Sequence, residues 1–260
     1  MMKHLSVSRW RLAGVAFLLL LAAACARQPV PPQVQTLLDC YPESILSYSR
    51  GRIRFVNGRS LVFDDGKAKD YLQMLDRADI EDMFSMPYRC GSGAPAYLQD
   101  PGRIRCTGFF KNAYGRSKKE VRANLVRVEW FDGQQLLFNR RNGAADSLSA
   151  VYRALQALPE EFHPYLREAG TFNWRSVRGS DRLSAHSFGI AIDINTQYSD
   201  YWQWAFPGAG EQDRIGYRNR IPPEIVAIFE QHGFISGTRW YHFDTMHFEF
   251  RPELLAHPSI

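Results

Sequence analysis

The chain has 260 residues, 45% of them hydrophobic, enough to bury a sizeable core and too apolar for a disordered chain. Its formal charge of +5 overstates its basicity, because residues 1–24 hold three of the 32 Lys and Arg and none of the 27 Asp and Glu; from Cys25 onward the balance is 29 against 27, or +2. The bases Arg50, Arg52, Arg54, Arg59, Arg116, Lys118, Lys119 and Arg122 are scattered without a basic block or a nucleic-acid motif, so no nucleic-acid partner is expected.

Lys3, Arg9 and Arg11 precede an apolar run from Leu12 to Ala24 that is too short for a spanning helix, which predicts a signal peptide over residues 1–24 and an exported protein of the cell envelope. Leu21-Ala22-Ala23-Ala24-Cys25 resembles a lipobox, with Cys25 as the acylated residue of a periplasmic lipoprotein anchored to the membrane. Cleavage at the small residues, or an uncleaved anchor, are the other readings. The Pro-rich stretch that follows predicts an extended tether over 25–38. Cys40, Cys90 and Cys106 are an odd number in an oxidising compartment, which predicts one disulfide and one free thiol, with the pairing open.

Residues 39–145 read as an N-terminal region without a functional motif. Ile53 to Phe63 predicts a hairpin about Asn57-Gly58, and Asp70 to Phe84 a helix with Tyr71, Leu72, Leu75, Ile80 and Phe84 on one face. Val121 to Phe138 predicts a second hairpin about Asp132-Gly133. Ser147 to Leu158 predicts a helix capped by Asp146 or Ser147 and stopped by Pro159, and a further helix runs from Pro222-Pro223 to Gly233.

Between and beyond those helices lie the residues that carry chemistry. In Ile190-Ala191-Ile192-Asp193-Ile194, strand alternation puts the isoleucines on one face and Asp193 on the other. In Met246-His247-Phe248-Glu249-Phe250 it buries the apolar residues and turns His247 and Glu249 the opposite way. With His186 these give two imidazoles and one carboxylate, a sufficient protein ligand set for a catalytic zinc that keeps a fourth position open.

Ser184-x-His186-x-x-Gly189-x-Ala191-x-Asp193, followed by Asp244-x-x-His247-Phe248-Glu249, resembles the M15 metallopeptidases, which comprise D-alanyl-D-alanine carboxypeptidases and L-alanyl-D-glutamate endopeptidases; Asp three residues before the last His resembles the endolysin-peptidase branch. The resemblance covers about Asp146 to Pro252. It implies an α+β fold with a small, mostly antiparallel central sheet flanked by helices and an N-terminal extension or lobe, a zinc peptidase core over 146–260, and peptidoglycan peptides as substrate. It makes His186, Asp193 and His247 the zinc ligands and Asp244 the general acid/base. It makes Arg175, or Arg178 three residues on, the group that binds substrate or the developing oxyanion. Since Asp244 and His247 would face opposite ways on an unbroken strand, a bend near Thr245 is expected. Glu249 is read either as orienting an imidazole or as a partner of Arg251.

Endopeptidase action is preferred, with D,D-carboxypeptidase action or a non-catalytic, zinc-binding wall lipoprotein as alternatives. His242 is read as packed rather than lining the site, and Tyr198, Tyr201, Trp202, Trp204 and Phe206 as core packing rather than a groove wall.

Overall fold

The computed structural model describes residues 29–91, 93–177 and 180–256. Contacts divide the chain into residues 1–31 and Pro32–Ile260. The signal peptide, Cys25 and its acylation fall outside the described residues, as do Arg178 and His257. No helix among the described residues is long and apolar enough to cross a membrane.

The second unit opens with helix α1 (Pro32–Cys40), whose Val34 and Leu37 are fully buried. This shortens the expected tether. Proline is tolerated in a first helical turn, and Val34, Leu37 and Leu38 recur at helical spacing, so the chain folds from Pro32 rather than staying extended to Leu38.

Strands β1 (Ile45–Ser49), β2 (Arg52–Phe55) and β3 (Ser60–Val62) form an antiparallel sheet in that order. Its second turn lies at Asn57-Gly58, where Gly58 takes φ +81° and the Asn57 side chain accepts from the Arg59 amide. The helix expected over 70–84 is two pieces. Helix α2 (Tyr71–Arg77) starts at a capping box between Asp70 and Gln73, and a 3-10 turn (Glu81–Phe84) follows. They separate because Asp79 and Asp82 cap each other's amides at 2.8 and 3.0 Å, while Lys69 is drawn into ion pairs with both. Ile80 thus joins the main core, whereas Tyr71 and Leu75 pack in a separate cluster.

Helices α3 (Thr107–Tyr114) and α4 (Lys118–Ala123) lead to a second antiparallel sheet, β4 (Leu125–Glu129) with β5 (Gln135–Asn139), turned at Asp132-Gly133. Helix α5 (Ala144–Leu155) begins three residues before the expected start, with Gly143 in the left-handed region at its N-cap. Helix α6 (Pro223–Gln231) agrees with its prediction within two residues.

The central sheet is β6 (Ala191–Asp193), β8 (His247–Phe250) and β7 (Phe234–Ser236), all antiparallel with β8 in the middle, and helix α7 (Pro252–Ala256) follows. The molecule is α+β.

Residues 39–145 share a hydrophobic core with the C-terminal half. Phe110 packs on Phe188, Trp130 on Phe229 and Phe138 on Phe234, joining both halves in one core. The core continues beneath the central sheet, where Phe229 of α6 stacks on Phe248 at 3.8 Å. A residue boundary at 145/146 would cut through this packing.

Cys40, Cys90 and Cys106 are all free thiols, which corrects the expected disulfide. They sit in different neighbourhoods: Cys40 ends α1 near Glu253, Cys90 lies near Glu230, and Cys106 caps α3 near Gly108.

Candidate active site

The site stands at one end of the central sheet. Asp193 ends β6 directly opposite His247, which begins β8. His186 lies on a 3-10 turn (Ala185–Phe188) in which its own amide donates to the Ser184 hydroxyl and whose exit is Gly189 at φ +67°. Gly189 is required here: besides its left-handed backbone, a Cβ would come within 2.6 Å of Leu125.

The three side chains close a small triangle. His186 Nε2 lies 3.1 Å from Asp193 Oδ1 and 3.2 Å from His247 Nδ1, and His247 Nδ1 lies 3.0 Å from Asp193 Oδ1. The outward nitrogens fix the rings. His186 Nδ1 donates to the Thr171 carbonyl at 2.6 Å, and His247 Nε2 faces Glu249 Oε2 at 3.5 Å. Once His247 loses its proton to an incoming metal, each imidazole turns an unprotonated nitrogen toward the same point as the Asp193 carboxylate. Tetrahedral zinc with bonds of about 2.0–2.1 Å holds its ligand atoms roughly 3.3 Å apart, so this donor set and its spacing fit zinc with little adjustment.

Asp244 approaches from the turn before β8. Its carbonyl accepts from the His247 amide at 3.0 Å, and Thr245-Met246 form the expected bend. The approach is close: the Asp244 amide donates to Gly237 at 3.1 Å, and a Cβ on Gly237 would collide with the Asp244 carbonyl. Burial raises the Asp244 carboxyl, His247 opposes and the Asp193 charge adds, leaving it at about 6. Asp193 is lowered despite burial, by charge and hydrogen bonds from His186 and His247. For His247, burial favours the neutral ring, but Asp193 and Glu249 outweigh it and raise the ring to about 10.

Glu249 performs both tasks considered for it. It faces His247 and also pairs with Arg105 at 2.9 Å and Arg251 at 3.2 Å. Burial would raise its carboxyl, but these cations bring it down to about 2.

Arg175 is exposed on the segment before the His186 turn and lines the cleft. Its backbone is tied to that turn: its amide donates to Ser187 Oγ at 2.9 Å, and its carbonyl accepts from Ser187 Oγ at 2.7 Å and from the Ser184 amide at 3.0 Å.

The cleft, about 280 Å³, is also lined by residues without a motif. Arg103, Arg105 and Arg182 reach it, as do Tyr201, Trp202 and Trp204; Trp202 is buried and Tyr201 packs on the core, as expected, but Trp204 is not in the core. Trp204 is 57% exposed. His242 lines the cleft too, contrary to expectation, with its Nδ1 held by Asp100 at 2.7 Å. A short peptide suits such a volume, just below the range of about 300–1,000 Å³ usual for ligand sites.

Two imidazoles and one carboxylate that could hold a metal ion, with a protonatable acid beside them in a cleft, make a candidate metal centre. Residues 178–250 match a family described as D-alanyl-D-alanine carboxypeptidase, which is similar in this segment and does not extend over the rest of the chain. No curated protein and no solved structure matches the chain.

Proposed function

We propose that the protein is a zinc peptidase that hydrolyses peptide bonds in peptidoglycan stem peptides, preferentially as an endopeptidase. The observation that carries this is the triangle of His186 Nε2, Asp193 Oδ1 and His247 Nδ1, with Asp244 beside it in a cleft. The family match over 178–250 supports a peptidase on peptidoglycan-like substrates.

His186, Asp193 and His247 would hold the ion. When bound, zinc supplies Lewis acidity to a carbonyl oxygen and to water. Asp244 takes the proton of the attacking water and returns it to the leaving amine; burial holds its carboxyl above the ordinary carboxylate range in the metal-free protein, the direction both transfers need. Arg175 offers a fixed fork of N–H donors to the oxyanion or to a substrate carboxylate. The aromatic side chains of Tyr201, Trp202 and Trp204 wall the cleft and limit water there.

The exported lipoprotein reading belongs to this proposal, since it puts the site on the same side of the membrane as its substrate. The test is hydrolysis of a synthetic stem pentapeptide by wild-type and Asp244→Asn protein, with zinc and with chelator. Zinc-dependent cleavage lost in the variant, with its zinc retained, supports the reading. A wild-type protein that holds zinc and cleaves no stem peptide would instead favour the non-catalytic alternative.

A further inference from the structure

The cleft carries more positive charge than the proposed metal chemistry uses. Arg103, Arg105, Arg175 and Arg182 line it, against Asp193, one of the three residues that could hold a metal, and Asp244 beside them. The arginines are not equally neutralised. Arg103 makes a bidentate pair with Glu211, both bonds at 2.8 Å, and has Asp100 at 3.4 Å. Arg105 has Glu249 at 2.9 Å, but that carboxylate is shared with Arg251 and His247.

Arg182 is the least compensated. Its side chain is 14% exposed, and its ion pair among the described residues is with Asp76 at 3.6 Å, a residue that is itself 67% exposed. Its buried Nε makes no hydrogen bond among the described residues. Burial, with Arg105 and Arg103 as like-charged neighbours, lowers the guanidinium to about 10. A buried, under-bonded cation among other cations is costly unless an anion joins it.

We propose that Arg105 and Arg182 form a carboxylate-binding subsite beside the metal centre, so that the preferred substrate is a peptide bearing a free carboxylate near the scissile bond. This rests on the peptidase reading above and adds the substrate's charge to it. Arginine suits the task because its planar fork can bind a carboxylate through two N–H donors. Part of the subsite comes from residue 105, outside the 178–250 match. The N-terminal half therefore helps to select the substrate as well as completing the core.

The test uses the pentapeptide L-alanyl-γ-D-glutamyl-L-lysyl-D-alanyl-D-alanine and two analogues, one amidated at the glutamyl α-carboxyl and one at the C-terminus. Binding is read from tryptophan fluorescence in chelator-treated protein, since Trp202, Trp204 and Trp240 line the cleft, and kcat and KM are read separately with zinc. In wild type, one of the two amidations weakens binding at least about tenfold, worth ~1.4 kcal/mol, and raises KM more than it lowers kcat. Arg182→Gln abolishes that discrimination and Arg182→Lys restores part of it, with thermal melts verifying that both fold.

Which amide loses affinity names the carboxylate. Equal binding of all three peptides by wild type, or undiminished discrimination in Arg182→Gln, overturns the subsite. Hydrolysis without discrimination would overturn the subsite and leave the peptidase, whereas discrimination without hydrolysis would overturn the peptidase and leave the subsite.

Discussion

His186 and His247 bring different ring nitrogens to the same point. Nε2 of the first and Nδ1 of the second lie 3.2 Å apart, while their remaining nitrogens face the Thr171 carbonyl and Glu249. The asymmetry follows from the backbone: one ring comes off a 3-10 turn and the other off the first residue of a strand.

Because His247 is raised to about 10 without metal, its ring is protonated at neutral pH and a metal must displace that proton. The sign is that zinc affinity increases as pH rises toward 10, and binding releases about one proton near pH 7. Calorimetry in two buffers of different ionisation enthalpy measures this number. Zinc uptake without proton release would show that the ring is already neutral.

Glu249→Gln keeps the shape but removes the charge that faces His247 and offsets Arg105 and Arg251. Zinc affinity is expected to fall by roughly 10–100-fold, the usual effect of losing such a support to a ligating imidazole. Competition with a chromogenic chelator reads it. Stability should fall too, since two guanidiniums lose a shared carboxylate.

Gly237→Ala places a methyl group against the Asp244 carbonyl. Asp244 moves while His186, Asp193 and His247 do not, so kcat should drop by about 10²-fold, in the range of a lost general acid/base, with zinc content unchanged. Parallel loss of zinc would mean that the turn also holds His247 in place.

The Asp244 carboxyl, at 3.8 unfolded and about 6 folded, binds more protons in the folded state between those values. Its burial as a charge therefore lowers stability progressively as pH rises from about 4 to about 6, and the deficit persists above that. Asp244→Asn removes this deficit: melts of metal-free protein should show the variant above wild type by on the order of 5 °C at pH 7 and nearly level with it at pH 4. A difference independent of pH would assign the effect to packing.

Much of the site is legible from alternation and motif spacing. The faces of β6 and β8 follow from Ile-x-Ile-x-Ile and Met-x-Phe-x-Phe patterns, and the bend at Thr245-Met246 from the need to bring Asp244 and His247 to one side. The apolar stripe through Ile80 predicts a longer helix than α2, because the Asp79–Asp82 mutual capping that interrupts it is a side-chain preference with a weaker sequence signal than periodicity. Strand β1 escaped because a bulge between Ile45 and Ser47 breaks its alternation.

Arg103, Arg105 and Asp100 carried no signal at all. They come from an irregular loop far from the motif residues in sequence, and only the fold brings that loop to the cleft. Of the aromatic run from Tyr201, Trp202 is buried while Trp204 is exposed at the cleft, a split that periodicity does not show because a buried face and a cleft wall look alike in sequence.

The most direct measurement is mass spectrometry of purified peptidoglycan digested by the protein from Gln28 onward, with zinc, with chelator, and beside Asp244→Ala. The account predicts new termini at one stem-peptide bond, abolished by chelator and by the substitution. Intact stem peptides under all conditions, with zinc bound to the wild-type protein, would contradict it.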